Sequence, residues 1–232
     1  MFVFEEMQLT ASPISLIQWL EPNEYRETRD ALNAFEHEVD IYHADVLTKS
    51  EAKSALEAWF QDGFGNKQYC FLGAHGITDP DGTAIGLGAS AEPGEFVRWE
   101  ELWNWYAQWE LEGGLWIGAC KSSDAAAALS PFLSSGPVSI RHFYGFSESI
   151  YPKEIRQVLL KLLEFTRISA PTYLDEELAL LRAAIPGTKI ELYYAANTSA
   201  GVVEFVNVDE MREKVGITFR QLLENNGRRR GL

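Results

Sequence analysis

The sequence predicts an α/β protein with a mainly parallel central sheet. Apolar runs of strand length alternate along the chain with longer segments of helical period, which is the pattern of strand–helix crossover units. At 232 residues, with 46% hydrophobic and 12% aromatic side chains, the chain can bury one large core. We therefore expect a single domain over residues 1–232.

Two strand–helix units are predicted in the first part of the chain. Ile14 to Leu20 is the first strand, and Glu24 to Glu38 is a helix with an apolar stripe. Val39 to His43 is the second strand, because apolar and polar residues alternate there. The second helix, over 48–60, begins with a capping box at Thr48.

Two later apolar runs contain the residues with the most reactive side chains. Gln68 to Gly76 (QYCFLGAHG) contains His75, and Leu115 to Ser122 (LWIGACKS) contains Cys120. Each apolar run stops at a small residue and then at the reactive one, which is how parallel strands deliver side chains to the carboxyl edge of a sheet. A thiol and an imidazole that meet at this edge make a nucleophile and its base.

The segment between these two runs predicts a hairpin and a helix. Thr78 to Gly82 (TDPDG) is a turn, and Thr83 to Ala89 is the return arm of a hairpin that would flank a substrate cleft. Phe96 to Leu111 is predicted as a helix because its aromatic residues recur at steps of three and four. Its expected core face consists of Trp99, Leu102, Trp103, Tyr106 and Trp109.

A helix is also predicted directly after Cys120. Ser122 to Leu129 (SSDAAAAL) is expected to be capped by Ser122 or Ser123, with alanines that allow tight packing on the sheet. Backbone N–H groups and the dipole at such a terminus would favour the thiolate and lower the pKa of the cysteine. The same N–H groups are candidate oxyanion donors.

The rest of the chain predicts one further strand–helix unit and an extension. Val138 to Phe146 is the fifth strand, and Pro152 to Phe165 is the helix that follows it. Beyond these, a helix, two strand-like runs and a short helix are predicted at Tyr173 to Ala184, Lys189 to Ala195, Val202 to Val208 and from Asp209. They could add an edge to the sheet, pack beneath the core or dock a partner, and the sequence does not choose among these.

The strand ends at His75 and Cys120 resemble a known family. Ala74-His75-Gly76 and Gly118-Ala119-Cys120 are similar to the His-Gly and x-Ala-Cys signatures of caspase-like cysteine peptidases, the group of caspases, gingipains and separases. The spacing from His75 to Cys120 is close to the roughly 50 residues of caspases. Lys121 and Ser122 stand where caspases carry Arg-Gly, so the sequence is most similar to the bacterial CHAT-type members.

The resemblance covers a core at about 14–166 and implies a fold and a site. The implied fold is a three-layer α/β/α caspase-like fold with a mainly parallel central sheet, plus a C-terminal α+β extension at about 167–232. The implied catalytic dyad is His75 and Cys120, with the backbone N–H groups of Gly76 and Cys120 as the oxyanion hole. A side chain at Gly76 is expected to obstruct the substrate carbonyl.

By the same resemblance, the segment that leaves the fifth strand lines the pocket for the residue before the scissile bond. The substrate-binding candidates are Phe146, Ser147, Glu148 and Ser149. If Glu148 points inward, charge pairing favours a basic side chain in the substrate. An exposed loop carboxylate is the alternative.

The resemblance implies a cysteine endopeptidase that acts on a protein or peptide substrate. Bacterial proteins of this kind serve regulatory or antiphage-defence roles, and we expect activation by a regulatory protein partner or a signal. The segment Ser134 to Gly136 is too short to resemble the cleaved linker of animal caspases. Two alternatives stay open. One is a catalytically inactive caspase-like adaptor or regulatory subunit. The other is a different globular α/β protein in which His75 and Cys120 are coincidental, which a structure with the two side chains on non-adjacent strand ends would establish.

The composition indicates which classes of binding partner and which cellular compartment to expect. A formal net charge of −14 argues against direct nucleic-acid binding, and the basic cluster Arg228 to Arg230 is expected to be a solvated end. Two cysteines make no disulfide framework, which predicts a cytoplasmic location. No signal peptide, membrane span, zinc motif or phosphate-binding loop is evident, so we expect no membrane association, no metal and no cofactor.

The remaining titratable residues are expected to be structural. Cys70 is predicted to be a small buried hydrophobe, and His142 a satisfied structural histidine. Asp79 and Asp81 belong to a turn by their own chemistry, although either could orient His75. His37 and His43 are expected at the surface, and no third catalytic residue is assigned.

Overall fold

The computed structural model describes residues 14–21, 24, 26–33, 41–59, 61, 69–107, 115–134, 140, 142–167, 174–197 and 203–215. The strands within these ranges are β1 Ile14–Trp19, β2 Ile41–Asp45, β3 Tyr69–Thr78, β4 Ala84–Gly88, β5 Phe96–Arg98, β6 Leu115–Gly118, β7 His142–Phe146, β8 Ile190–Asn197 and β9 Val203–Asn207. The α-helices are α1 Arg26–Asn33, α2 Lys49–Trp59, α3 Trp99–Tyr106, α4 Ala125–Leu129, α5 Pro152–Arg167, α6 Leu174–Ala184 and α7 Val208–Val215. Short 3-10 turns cover Ser122–Asp124 and Ser130–Ser134.

The strands form a mixed, mostly parallel central sheet. Its order is β2-β1-β3-β6-β7-β8-β9, and every pairing from β2 to β7 is parallel. The last two strands pair antiparallel, at β7–β8 and β8–β9. The predicted α/β class with a mainly parallel central sheet is therefore confirmed. The strands of the C-terminal extension add an edge to that sheet, which is one of the three possibilities left open by the sequence.

Buried apolar side chains cover both faces of the sheet. Ile17, Leu72 and Ile117 belong to a cluster on one face, together with side chains of α2, α3 and α4. Phe71 and Trp116 belong to a cluster on the other face, together with side chains of α1, α5, α6 and α7. Neighbouring residues of one strand thus pack into opposite layers, as the two-residue period of a strand requires. Helices on both faces are compatible with a three-layer α/β/α arrangement.

Local signals in the sequence placed several elements correctly. The capping box before α2 is present, because the Thr48 hydroxyl accepts from the Glu51 amide and the Glu51 carboxylate accepts from the Thr48 amide. The predicted turn before β4 is present as well, with the Asp79 carboxylate accepting from the amides of Asp81 and Thr83. β4 then pairs antiparallel with β3, which confirms the predicted hairpin.

Two helix predictions in this part were wrong in their starting points. Residues 96–98 form β5, which pairs with β4, so the aromatic helix α3 begins only at Trp99. The segment after Cys120 begins as a 3-10 turn over Ser122–Asp124, and α4 starts at Ala125. Neither turn nor helix has a side-chain cap, so the predicted serine cap is wrong.

Most members of the predicted aromatic core face are buried. Trp99, Leu102, Trp103 and Tyr106 all belong to the core, and so does Trp105, which the spacing did not select. Predictions that concern Trp109, His37, Arg228 to Arg230 and the second half of the helix at 24–38 lie outside the described residues.

Candidate active site

Strand order and register bring His75 and Cys120 to the same edge of the sheet. β3 and β6 are parallel neighbours, and their last aligned pair is Gly73 with Gly118. His75 and Cys120 each follow that pair by two residues. The prediction that the two residues belong to adjacent parallel strands is therefore confirmed. The strand of His75 does not end there, however, because β3 continues to Thr78 and pairs with β4 from His75 onward. Non-adjacent strand ends, which would have established the unrelated-protein alternative, are not observed.

The backbone of Gly76 lies directly against the backbone of Cys120. A Cβ added to Gly76 would come 2.0 Å from the carbonyl oxygen of Cys120, a distance that no side chain can adopt. Glycine is thus needed at this position to let the two chain segments approach each other. This reason for glycine lies within the protein itself, and the expected clash with a substrate carbonyl stays a prediction.

A carboxylate holds the imidazole of His75. The Nε2 atom of His75 lies 3.0 Å from Oε1 and 3.1 Å from Oε2 of Glu24, which lies two residues before the start of α1. Both side chains are partly exposed, at 45% for His75 and 32% for Glu24. A carboxylate in contact with one ring nitrogen fixes the orientation of the ring and leaves the other nitrogen for a second partner.

The thiol of Cys120 lies against the loop that leads into α5. Its Sγ atom accepts from the amide of Ile150 at 3.4 Å and lies 3.8 Å from the carbonyl oxygen of the same residue. Cys120 is partly exposed. Within the described part of the chain, no hydrogen bond joins its thiol to His75. The two side chains therefore share an edge of the sheet while each is held by a different neighbour.

The turn after Cys120 is held to strands on both sides. The Ser122 hydroxyl donates to the carbonyl of Ile117 and accepts from the amide of Phe146, so it joins the ends of β6 and β7. The Asp124 carboxylate accepts from the amide of Ala84 at 2.8 Å, which joins the turn to β4. These bonds replace the helix cap expected from the sequence. They fix the position of Cys120 through the sheet rather than through a helix terminus.

The predicted substrate-binding residues lie in different environments. Phe146 is buried in the core cluster on the α5 face. The Ser147 amide donates to the carbonyl of Lys189, and its hydroxyl lies 3.4 Å from the same oxygen. Glu148 is exposed and its carboxylate lies 3.5 Å from Nζ of Lys189. Glu148 therefore points outward, so the inward orientation that would select a basic substrate side chain is not observed. Ser149, the last of the four candidates, is also exposed.

Two residues near the site were missed by reasoning from the sequence. Glu24 follows β1, and the rule that side chains collect at the carboxyl edge of parallel strands applies to that strand too. Tyr151 is 68% exposed directly after Ile150, which contacts the Cys120 thiol. A large exposed aromatic ring, one residue along the chain from the backbone that contacts the thiol, is a candidate surface for a substrate side chain. No local motif marks Tyr151.

The other titratable candidates have structural partners. Asp79 caps its own turn and does not reach His75. His43 pairs with Asp45 across 2.8 Å, and His142 is buried in β7. The thiol of Cys70 is buried, as expected, and lies 3.4 Å from the hydroxyl of Tyr106. Burial raises the pKa of the Cys70 thiol to about 11, which removes it from thiolate chemistry near neutral pH.

Comparisons with known proteins add no family. No protein-family model matches the chain, and no curated protein matches it significantly. Among the described residues, no group of three or more His, Cys, Asp and Glu side chains could hold a metal ion. No helix in the same ranges has the length and apolar character needed to cross a membrane.

Proposed function

We propose that this chain is a cysteine endopeptidase of the caspase-like type, with Cys120 as nucleophile and His75 as general base and acid. The observation that carries this proposal is the parallel register of β3 and β6, in which His75 and Cys120 each lie two residues past the last aligned pair, Gly73 with Gly118. The contact between Gly76 and Cys120 supports it, because it keeps the two segments at the closest separation that the backbone allows.

In the proposed reaction, His75 first accepts a proton from the Cys120 thiol and later donates it to the leaving amine. The Cys120 thiol gives its proton to His75, and the resulting thiolate attacks the peptide carbonyl carbon to form a C–S bond. Backbone N–H groups of Gly76 and Cys120 receive the negative charge on the carbonyl oxygen. When the C–N bond breaks, His75 gives the proton to the leaving amine. Water then attacks the thioester carbonyl carbon and gives a proton to His75, the C–S bond breaks to release the carboxylic acid, and His75 returns the proton to the Cys120 thiolate.

Glu24 is the proposed orienting group for His75. Its carboxylate contacts Nε2, so the Nδ1 atom is the one available for proton exchange with the thiol. A carboxylate on the far side of the ring also stabilises the imidazolium that forms when the thiol is deprotonated. Tyr151 and the loop Ser147–Ser149 are the proposed contacts for the substrate chain next to Cys120.

Activation is proposed to require a change in the loop that leads into α5. The thiol is hydrogen bonded to Ile150, and the imidazole is bonded to Glu24, so the thiol must leave Ile150 before it can exchange a proton with His75. A regulatory protein partner or a bound signal that moves this loop would switch the enzyme on. Such control fits the regulatory or antiphage-defence role that the resemblance to bacterial caspase-like proteins implies.

Covalent probes test the proposal directly. Acyloxymethyl-ketone peptides with Arg, Lys, Asp or Leu at the terminal position should label Cys120 in the wild-type protein, and labelling should be lost in Cys120→Ala and His75→Ala. The matched controls are Cys70→Ala and His43→Ala, which should retain labelling because neither residue lies at this edge. Equal labelling of wild type and His75→Ala would contradict the proposed dyad.

The second candidate is an inactive adaptor with the same fold. The observation that favours it is the separate engagement of the two side chains, with His75 held by Glu24 and Cys120 by Ile150. An adaptor would react with a small alkylating reagent at Cys120 and yet show no labelling by any peptide probe, even in an extract of its source cells. Labelling that appears on addition of such an extract supports the partner-activated enzyme.

A further inference from the structure

The β3–β4 hairpin and the turn at Cys120 are joined by two bonds that cross between them. The Nζ atom of Lys121 donates to the carbonyl oxygen of Gly82 at 2.7 Å, at the tip of the hairpin. The amide of Ala84 donates to the carboxylate of Asp124 at 2.8 Å, where the hairpin returns. One side chain thus reaches from each end of the Cys120 turn to the hairpin, and both contacts are partly buried.

Lys121 has an unusual backbone conformation for a residue with a long side chain. Its φ is 53°, in the left-handed region, and no other described residue except glycine has a positive φ. This conformation is unfavourable for residues that carry a Cβ, so neighbouring contacts must hold it in place. The contacts that do so are the Nζ bond to Gly82 and the bond from the Lys121 amide to the carbonyl of Glu148 at 3.1 Å.

We propose that Lys121 is a positioning residue for Cys120, which uses its bond to the Gly82 carbonyl to hold the left-handed turn that sets the thiol at the strand edge. The hairpin is then part of the site's support, although neither its tip nor Lys121 touches the reacting atoms. A role of Lys121 in catalysis rests on the proposed function. The effect of Lys121 on the position of the thiol does not depend on that function.

Two substitutions separate the backbone from the charge. Lys121→Met removes the Nζ donor and keeps a long side chain, so only the amide bond to Glu148 still holds the left-handed backbone and we expect the turn to relax. Lys121→Gly removes the same donor and the same charge, but glycine adopts the left-handed region without strain. Any difference between the two variants therefore does not come from the lost donor or the lost charge. Lys53→Met, which alters an exposed lysine on α2, is the control for the loss of a positive charge.

The readout is the rate at which iodoacetamide alkylates Cys120 in the folded protein, mapped by mass spectrometry. This rate does not require peptidase activity, so it distinguishes a failure of this inference from a failure of the proposed function. We expect Lys121→Met to change the rate at least fivefold, while Lys121→Gly and Lys53→Met stay within twofold of wild type. Equal alkylation rates of Cys120 in Lys121→Met and Lys121→Gly would overturn the proposal, whether or not those rates differ from that of the wild type.

Hydrogen exchange of the wild-type protein tests the same link without a variant that might unfold. If the hairpin and the turn form one unit, the amides of Thr83, Ala84 and Asp124 open together and show the same protection. Protection of the Asp124 amide at least tenfold greater than that of the two hairpin amides would show that the turn holds without the hairpin.

Discussion

Cys70, on β3, and Cys120, directly after β6, differ in burial and in hydrogen-bond partner. Cys70 is aligned with Leu115 at the start of the paired region, where helices cover the sheet, and it is fully buried. Cys120 follows the last aligned pair and is partly exposed. A cysteine is thus a buried core residue at one end of the paired strands and a candidate nucleophile at the other. Position along a parallel strand decides between these roles.

The largest expected effect is the difference in reactivity between the two thiols. Burial raises the pKa of Cys70 from an ordinary 9.0 to about 11. A shift of two units lowers the thiolate fraction about 100-fold near pH 8, and steric protection lowers the reactivity further. Iodoacetamide should therefore modify Cys70 at least about 100 times more slowly in the folded protein than in denaturant, whereas Cys120 is partly exposed to the reagent. Equal rates in denaturant are the control, and comparable rates in the folded protein would contradict the comparison.

The buried thiol should also make folding sensitive to alkaline pH. Because the folded-state pKa of Cys70 is raised, its protonated form contributes stability that is intact below about pH 9 and is lost as pH rises through about 11. Two pKa units correspond to roughly 3 kcal/mol. The pKa of the buried Tyr106 hydroxyl is raised as well, in the same direction.

Denaturant unfolding measured from pH 8 to 11 checks this expectation. The free energy of unfolding of the wild-type protein should fall across this range, and Cys70→Ala should reduce the slope while leaving part of it to Tyr106. A wild-type curve that is flat above pH 9 would show that Cys70 is not protonated and buried in the folded protein.

Two glycines of β3 should respond differently to a methyl group. At Gly76 the added Cβ would meet the Cys120 carbonyl oxygen at 2.0 Å, whereas at Gly73 its nearest neighbour would be the Phe71 ring at 3.4 Å. Gly76→Ala is expected to lower the free energy of unfolding by about 2 kcal/mol, and Gly73→Ala by less than about 0.5 kcal/mol. Urea unfolding of both variants measures the contrast, which would be refuted by equal losses.

The smallest expected effect concerns the carboxylate at His75. Exposed or half-exposed ion pairs contribute up to about 1 kcal/mol, so Glu24→Gln should slow labelling of Cys120 by peptide probes about two- to fivefold. Glu148→Gln is the matched control, because it removes an exposed carboxylate that pairs with Lys189. The rate at which peptide probes label Cys120 is measured for both variants. An unchanged rate in Glu24→Gln would show that Glu24 does not orient His75.

Local patterns in the sequence predicted the fold well, because they depend on near neighbours. The capping box at Thr48 and the turn at Asp79 are each satisfied within five residues of chain, and both are present. The same reasoning missed β5, because residues 96–98 continue an aromatic helical period and become a strand only through pairing with β4. Long-range pairing of this kind has no local signal.

At the candidate site, the sequence predicted which strand ends meet but not what holds the side chains. Glu24 and Ile150 are distant in sequence from the residues that they contact, at His75 and Cys120. The serine cap failed because the Ser122 hydroxyl was better satisfied between Ile117 and Phe146 than at a helix terminus. Side-chain hydrogen bonds compete among partners that only the folded chain brings together.

The most direct test of the central claim is a double-mutant cycle on peptide hydrolysis. A peptide library is incubated with the wild-type protein, with Cys120→Ala, with His75→Ala and with the double variant, each with the activating extract present, and cleavage is quantified by mass spectrometry. Because a nucleophile and its base act as one unit, we predict that each single variant loses as much activity as the double variant. Losses that add independently, or hydrolysis that persists without His75, would contradict the proposal that these two strand ends form one catalytic site.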